Sequence, residues 1–336
     1  MIDLHLHLDG SLSVRDAAHL ATLNGVELPT DIKGSLCVSE TYTSLTEYLE
    51  KFDLPLKLLS SPDAVKYAVR SLLMSLAEEG IIYAEIRFAP ALHTGGGAAQ
   101  RDIVLSAIEG LTCGKEEFGI SANLLLCCMR GEGNIMENLE TVKVASEFLG
   151  KGVAAIDLAG DESKYPTKNF EYIFSEARAK NIPITVHAGE ASGAQSVLAA
   201  LRAGAVRIGH GVRAVSSPET VKMLKERCVT LELCPTSNIQ TGVVSDFDAY
   251  PLKKFLDLGV TVTVNTDNKT VSDTTLRKEY MLVKDTLGLS DEELLSIALT
   301  AADSAFVCEK EKDRLKSIIK KDFFAWLYKD SKTLTL

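Results

Sequence analysis

The 336-residue chain contains no apolar run approaching the ~18 residues that a membrane-spanning helix requires. Its N-terminus, MIDLHLHLDG, has no basic n-region and no small-residue cleavage site, so no secretory signal is expected. Positive charge is in deficit: 36 Lys and Arg stand against 46 Asp and Glu, a formal net charge of −10. That balance disfavours nucleic-acid phosphates and anionic lipid surfaces as partners. Among seven cysteines there is no C-x-x-C spacing, and the only close pair, Cys127 and Cys128, is adjacent. Cys127, Cys128 and Cys234 sit in apolar runs, so reduced, mostly buried thiols in a cytoplasmic protein are expected. Linkers, low-complexity segments and internal repeats are also missing, which points to one domain over residues 1–336.

What is present is a regular alternation. Short β-rich apolar runs occur at Ile2–Leu8, Tyr83–Ala89, Ser121–Met129, Val153–Ala159, Ile184–His187, Val206–His210, Thr230–Cys234 and Val260–Thr266. Between them lie amphipathic stretches. In Ala64–Glu79 the residues Val65, Ala68, Val69, Leu72, Leu73 and Leu76 form the stripe of a helix with one buried face. Ile135–Leu149, Phe170–Lys180, Gln195–Ala203 and Pro218–Arg227 read in the same way. Strands alternating with helices imply a parallel α/β sheet, and eight units suggest a closed (β/α)8 TIM barrel. A doubly wound open sheet has the same local signature. Val14–Ser61 fits no single βα unit and is expected to be a helical insertion after the first strand. The segment from Asp291 onward is expected to add helices outside the barrel.

Only six histidines occur, and four of them, His5, His7, His187 and His210, fall on or at the ends of these runs. In a parallel barrel the active site lies at the C-terminal strand ends. His5 and His7 are two apart on a strand, so their side chains share a face. If that face is the interior, a metal is an economical partner for both imidazoles. With Leu4, Leu6 and Leu8 on the opposite face, a polar outward side remains an alternative. His187 in VHAGE and Asp267 in VNTDN add a third imidazole and a carboxylate at strand ends, a donor set suited to zinc. His210, in IGHG, falls beside them. Glu190 follows His187 by three residues and projects from the same mouth, where general acid–base work is the sharper reading. Strand 4 ends in IDLAGDE with no lysine before Lys164 to bridge two ions, so one metal is expected.

These motifs together resemble the adenosine deaminases of the amidohydrolase superfamily. The resemblance runs through HLHLDG (5–10), EKFD (50–53), IDLAGDE (156–162), HAGE (187–190), IGHG (208–211), LCPTSNIQTG (233–242) and NTDN (265–268), in order along nearly the whole chain. It implies that His5, His7, His187 and Asp267 hold one Zn²⁺ per chain. It makes Glu190 the acid that protonates purine N1, and His210, with Asp267, the group that holds and helps deprotonate the attacking water. It assigns the Gly160 backbone to purine N3 and Asp9 to the ribose 5′-hydroxyl. His7 borders the substrate as well as the metal, and Leu49, Phe52 and Leu56 belong to an apolar flap. One departure stands out: many relatives carry TDD where this chain has Asn268. An amide donates to the acceptor N7 without needing a proton, so Asn268 is expected to read N7.

The implied reaction is hydrolytic deamination of adenosine, and of 2′-deoxyadenosine, in purine salvage. A deaminase of adenine, a methylated adenine nucleotide or AMP is the nearest rival. A nucleotide enzyme would need a basic pocket near Asp9, where the sequence places an acid. A different hydrolase on the same barrel is a second rival, and a catalytically dead binding barrel a third. The cytidine-deaminase type is excluded, because no H-x-E…P-C-x-x-C pattern occurs. The expected partner is a small-molecule nucleoside, with no nucleic acid and no membrane.

Overall fold

A computed structural model describes residues 1–38 and 45–329. Eight parallel strands are present: β1 (Ile2–His7), β2 (Tyr83–Phe88), β3 (Ser121–Met129), β4 (Val153–Ala159), β5 (Thr185–Ala188), β6 (Arg207–His210), β7 (Thr230–Leu233) and β8 (Val262–Val264). They pair in sequence order as two four-stranded sheets, β1 to β4 and β5 to β8. Two seams join the halves. At one, Ile156 N donates to Pro183 O at 3.0 Å, linking β4 to β5. At the other, Asp267 N donates to His5 O at 2.8 Å and His7 N to Asp267 O at 2.7 Å. These seams close the sheet, so the barrel holds and the open doubly wound alternative does not.

Strand edges differ from expectation by a residue or two. The main shortfall is the last strand, expected over Val260–Thr266 and observed over Val262–Val264. Beyond Val264 the chain turns inward. Asn265 Oδ1 accepts from Leu4 N at 3.1 Å, and Asp267 adopts a left-handed φ of 61°. That bend carries a β8 carboxylate across to β1.

The helices pack their apolar stripes outside the barrel. Pro62–Glu78 starts at a Ser61 cap with proline in its first turn, where a missing N–H costs nothing, and it buries all six stripe residues. Ile135–Phe148, Glu171–Ala179, Ala194–Arg202 and Pro218–Glu226 match their expected spans closely. The insertion after β1 is helical, with Val14–Asn24, Ile32–Leu36, Leu45–Glu50 and Asp53–Leu58. Asp291–Ser304, with a Ser290/Glu293 capping box, and Glu309–Leu327 are the expected C-terminal helices. The sequence reading overlooked Gln100–Phe118, whose buried stripe is interrupted by Gly110 and Gly114. No helix among the described residues is long and apolar enough to cross a membrane.

All seven cysteines are free thiols. The expectation that most are buried needs correction: Cys127, Cys128 and Cys234 are buried, Cys37 and Cys113 partly so, while Cys228 and Cys308 are exposed. Cys228 occupies a left-handed turn position (φ 52°) just after a surface helix, and Cys308 is the N-cap of the next-to-surface helix Glu309–Leu327.

The barrel interior is charged. Arg207 reaches Glu85 at 2.5 Å and Glu232 at 2.6 Å, while Arg87 reaches Glu232 at 2.8 Å and Asp157 at 2.9 Å. All five side chains are 2% exposed or less. Against the opposing cost of burial, Arg87 and Arg207 hold Glu232 well below the usual carboxylate range, and His187 with Arg87 does the same for Asp157. Breaking such a buried pair from one side leaves an uncompensated charge. Arg207→Met, which keeps the stem and removes the charge, is therefore expected to lower the unfolding free energy by about 3–5 kcal/mol. Urea denaturation measures it; an unshifted midpoint would show that the network adds no stability.

Candidate active site

Of the two inward imidazoles of β1, His5 is aimed from below. His5 Nδ1 lies 2.8 Å from Glu232 Oε2, which turns His5 Nε2 towards the barrel mouth. There it is a fully buried nitrogen with no hydrogen-bond partner. Gly209 on β6 makes room for it, since a Cβ at that position would stand 2.9 Å from the ring. His187 Nδ1 lies 2.8 Å from Asp157 Oδ2, in a close electrostatic contact that is not aligned as a hydrogen bond. Burial holds His5 down to about 4 and His7 well below its ordinary value, so both are neutral at physiological pH. Neutral imidazole is the form that ligates metal. For His187 burial also disfavours charge, but Asp157 outweighs it and raises the value.

Four donor groups converge. His7 Nε2 is 3.1 Å from His187 Nε2, and Asp267 Oδ1 is 3.4 Å from both His5 Nε2 and His7 Nε2. In a tetrahedral zinc site with bonds near 2.05 Å, ligand atoms stand about 3.3 Å apart. The spacing, the orphaned His5 nitrogen and the donor types therefore fit that ion. Among the described residues His5, His7, His187 and Asp267 form one group able to hold a metal. A second group, His210, Cys234 and Asp267, shares the same aspartate.

Around the tetrad lies a cavity of about 260 Å³. It brings together His7, Asp9, Leu49, Phe52, Leu56, Gly160, His187, Glu190, His210, Asp267 and Asn268. His5 lies beneath, fully buried. Every expected site residue is thus in or directly under one pocket. His210 takes a left-handed φ of 60°. Its Nδ1 is 3.0 Å from Asn238 Nδ2, while Asn238 Oδ1 accepts from the Tyr250 hydroxyl at 3.0 Å. With that hydroxyl donating, the amide donates to His210 Nδ1 and leaves Nε2 facing Glu190 Oε2 at 3.6 Å. Burial raises the proton affinity of Glu190; the Asp267 and Glu162 charges add to this, while His210 and His187 oppose it. Burial likewise lifts Asp9 to about 6. Gly160 has φ 100°, a conformation that glycine adopts without strain.

Asn268 is held unusually tightly. Its Nδ2 donates to the Tyr48 hydroxyl at 3.0 Å, and its Oδ1 is buried without a partner. Any Cβ on Gly10 would collide with that oxygen at 1.9 Å. The Tyr48 hydroxyl also contacts Ser272 at 3.0 Å, so the helix carrying Leu49 is tied to the loop after β8.

Several supporting residues escaped the sequence reading. Glu85, Arg87 and Glu232 were visible as charges inside apolar strands, and Asp157 and Glu162 lie within IDLAGDE. Glu162 is 2% exposed and accepts from three backbone amides of the HAGE loop: Gly189 at 2.7 Å, Glu190 at 3.1 Å and Ser192 at 2.9 Å. Asn238 lies within LCPTSNIQTG but was given no role, and Tyr48 carried no signal, because nothing local links it to the site.

A family model described as Adenosine deaminase matches residues 1–322. The chain belongs to the adenosine deaminase family. It is similar to the adenosine deaminase of Haemophilus ducreyi, 44% identical over 96% of both chains, and to that of Enterococcus faecalis, 39% identical over 95% of both. Among solved structures it resembles adenine deaminase from Arthrobacter aurescens, with a TM-score of 0.87, 26% identity and coverage of 96% and 99%. It also resembles the N6-methyl-AMP deaminase of Arabidopsis thaliana, with a TM-score of 0.83, 29% identity and coverage of 95% and 96%.

The Tyr48 tether has a measurable consequence. Tyr48→Phe removes a buried hydroxyl with three polar neighbours, a loss of roughly 1–1.5 kcal/mol. Local opening of the Leu45–Glu50 helix should then rise about tenfold, and with it the rate of limited proteolysis there. Unchanged cleavage would mean that apolar contacts alone hold the helix down.

Proposed function

We propose that the protein, as a single-domain cytoplasmic enzyme of purine salvage, converts adenosine and 2′-deoxyadenosine to inosine and 2′-deoxyinosine, releasing ammonia, with one zinc per chain. The observation that carries this reading is the cavity lining. Six of its lining residues are Asp9, Asp53, Asp161, Glu162, Glu190 and Asp267, and among the described residues the lining includes neither lysine nor arginine. A phosphate would meet six carboxylates there and no lysine or arginine to offset them, whereas a neutral nucleoside meets acceptors for its hydroxyls and apolar surface for its rings. Family membership supports the same reaction.

His5, His7, His187 and Asp267 would hold the zinc, which when bound supplies a water acidified to near neutral pH. Glu190, whose burial favours the protonated form, donates to purine N1 and withdraws electrons from C6. His210 and Asp267 orient the attacking water beside C6; addition of that water and departure of ammonia give the product. The Gly160 backbone addresses N3, Asp9 the 5′-hydroxyl, and Leu49, Phe52 and Leu56 cover the sugar. Asn268 reads N7 after a half-turn of its amide, which lets Tyr48 donate to Oδ1 and frees Nδ2. The likeness to an adenine deaminase and to an N6-methyl-AMP deaminase keeps free adenine and a modified nucleotide as competing substrates.

Loss of the adenine absorbance band, followed in parallel with adenosine, 2′-deoxyadenosine, adenine, AMP and N6-methyl-AMP, discriminates among these. Turnover of both nucleosides far above the base and the nucleotides is expected, along with one zinc per chain by elemental analysis. Faster turnover of AMP or adenine would reject the nucleoside assignment, and two metals per chain the single-ion site. A 7-deaza nucleoside tests Asn268: it leaves a buried amide donor unpaired, at a cost of about 1–3 kcal/mol. Equal kcat/KM for adenosine and 7-deazaadenosine would remove Asn268 from N7 recognition.

A further inference from the structure

The loop that carries Glu190 is short and has little regular backbone pairing. Between the end of β5 at Ala188 and the helix beginning at Ala194, the chain turns through Gly189 at φ 72°. The N–H groups of Gly189, Glu190 and Ser192 all go to one acceptor, the Glu162 carboxylate. Oε1 takes Gly189, and Oε2 takes Glu190 and Ser192. The link is reciprocal, since Ser192 Oγ donates to Glu162 O at 3.1 Å. Arg130 reinforces it by donating to His187 O at 2.6 Å, to Tyr165 O at 2.7 Å and to Thr167 Oγ1 at 3.0 Å. The β4 loop thereby grips the β5 loop on both sides of Gly189. Gly160, two residues before Glu162, stands on that same β4 loop.

We infer that Glu162 is a positioning residue for Glu190: by accepting all three loop amides it fixes where the Glu190 carboxyl stands relative to the Gly160 backbone. The inference rests on the reading of Glu190 as the acid at N1. A carboxylate suits this task because it offers acceptors on both oxygens. Glutamine does not, because one terminus becomes an NH₂ facing an N–H donor. In whichever orientation the amide settles, either Gly189 or the Glu190–Ser192 pair loses its acceptor. The loop must then shift, and a displacement near 1 Å at a reacting group costs on the order of 10²-fold in rate. Glu162 and Gly160 stand two residues apart on one loop, so the distance between the N1 and N3 contacts is set by that loop after β4 and not by the HAGE loop alone.

A double-mutant cycle on the zinc-loaded enzyme tests this. Glu162→Gln, Glu190→Gln and the double variant are compared by kcat/KM for adenosine, zinc content, thermal midpoint and the Kd of 1-deazaadenosine, which lacks N1. Glu162→Gln should lose about 10²-fold in kcat/KM, mainly in kcat, yet cost nothing further in the Glu190→Gln background. Its Kd for 1-deazaadenosine and its zinc content should match wild type. Additive losses, wild-type turnover by Glu162→Gln, or a parallel loss of 1-deazaadenosine binding would each overturn the inference. Normal turnover by Glu190→Gln would instead refute the acid assignment itself, and the two failures are distinguishable. If Glu162→Gln does not fold, Glu162→Asp keeps the charge but withdraws it by one methylene and carries the same cycle. Failure of both to fold would make Glu162 a residue of the fold alone and overturn the proposal.

Discussion

Glu232 Oε2 is shared between His5 Nδ1 and the Arg87 guanidinium, each at 2.8 Å, and the order of the site descends from that contact. It fixes which nitrogen of His5 faces the mouth. It also ties the histidine to Arg87, whose other arm holds Asp157, the carboxylate beneath His187. Two imidazoles on opposite halves of the barrel are thus aimed by one guanidinium. A carboxylate beneath a ligating imidazole sets the tautomer and the ring plane, as second partners of metal ligands do generally. The arrangement depends on burial: in water these charges would be screened and mobile, whereas in the barrel they are held to one another and to a few fixed neighbours such as Arg207.

Much of this was legible in the sequence. Strand and helix alternation gave the barrel, and the parity of His5 and His7 on one strand put both imidazoles on one face. HAGE, IGHG and NTDN supplied the remaining polar groups at strand ends, where a parallel barrel collects them. The illegible parts share a physical cause. Tyr48 reaches Asn268 across 220 residues, and Asn238 reaches His210 across 28. No periodicity encodes such pairings, because they depend on how separate loops fold over the same mouth. The Gln100–Phe118 helix was missed for a local reason, the small residues that interrupt its stripe. The orientation of Asn268 was likewise invisible, since it is decided by the partner that its amide finds.

The cavity separates two tasks by wall. The polar groups proposed to act on the purine come from β1, β4, β5, β6 and the turn after β8, at strand ends or on the loops that leave them. The apolar cover, with Leu49, Phe52 and Leu56, comes from the insertion after β1. The wall where protons are proposed to move is thus built at strand ends, and the wall proposed to cover the sugar by helices of the insertion.

The two seams of the barrel give the metal ligands a further meaning. His5 and His7 belong to the first four strands, while His187 and Asp267 belong to the second four or the turn that follows them. Neither half alone owns a complete donor set. An ion bound at the mouth would therefore act as a clasp between half-barrels, adding to the two backbone bonds that join β1 to the turn after β8 there. Its binding energy is then spent on closure as well as on chemistry, and assembly acquires an order: the halves must dock before the ligand set exists.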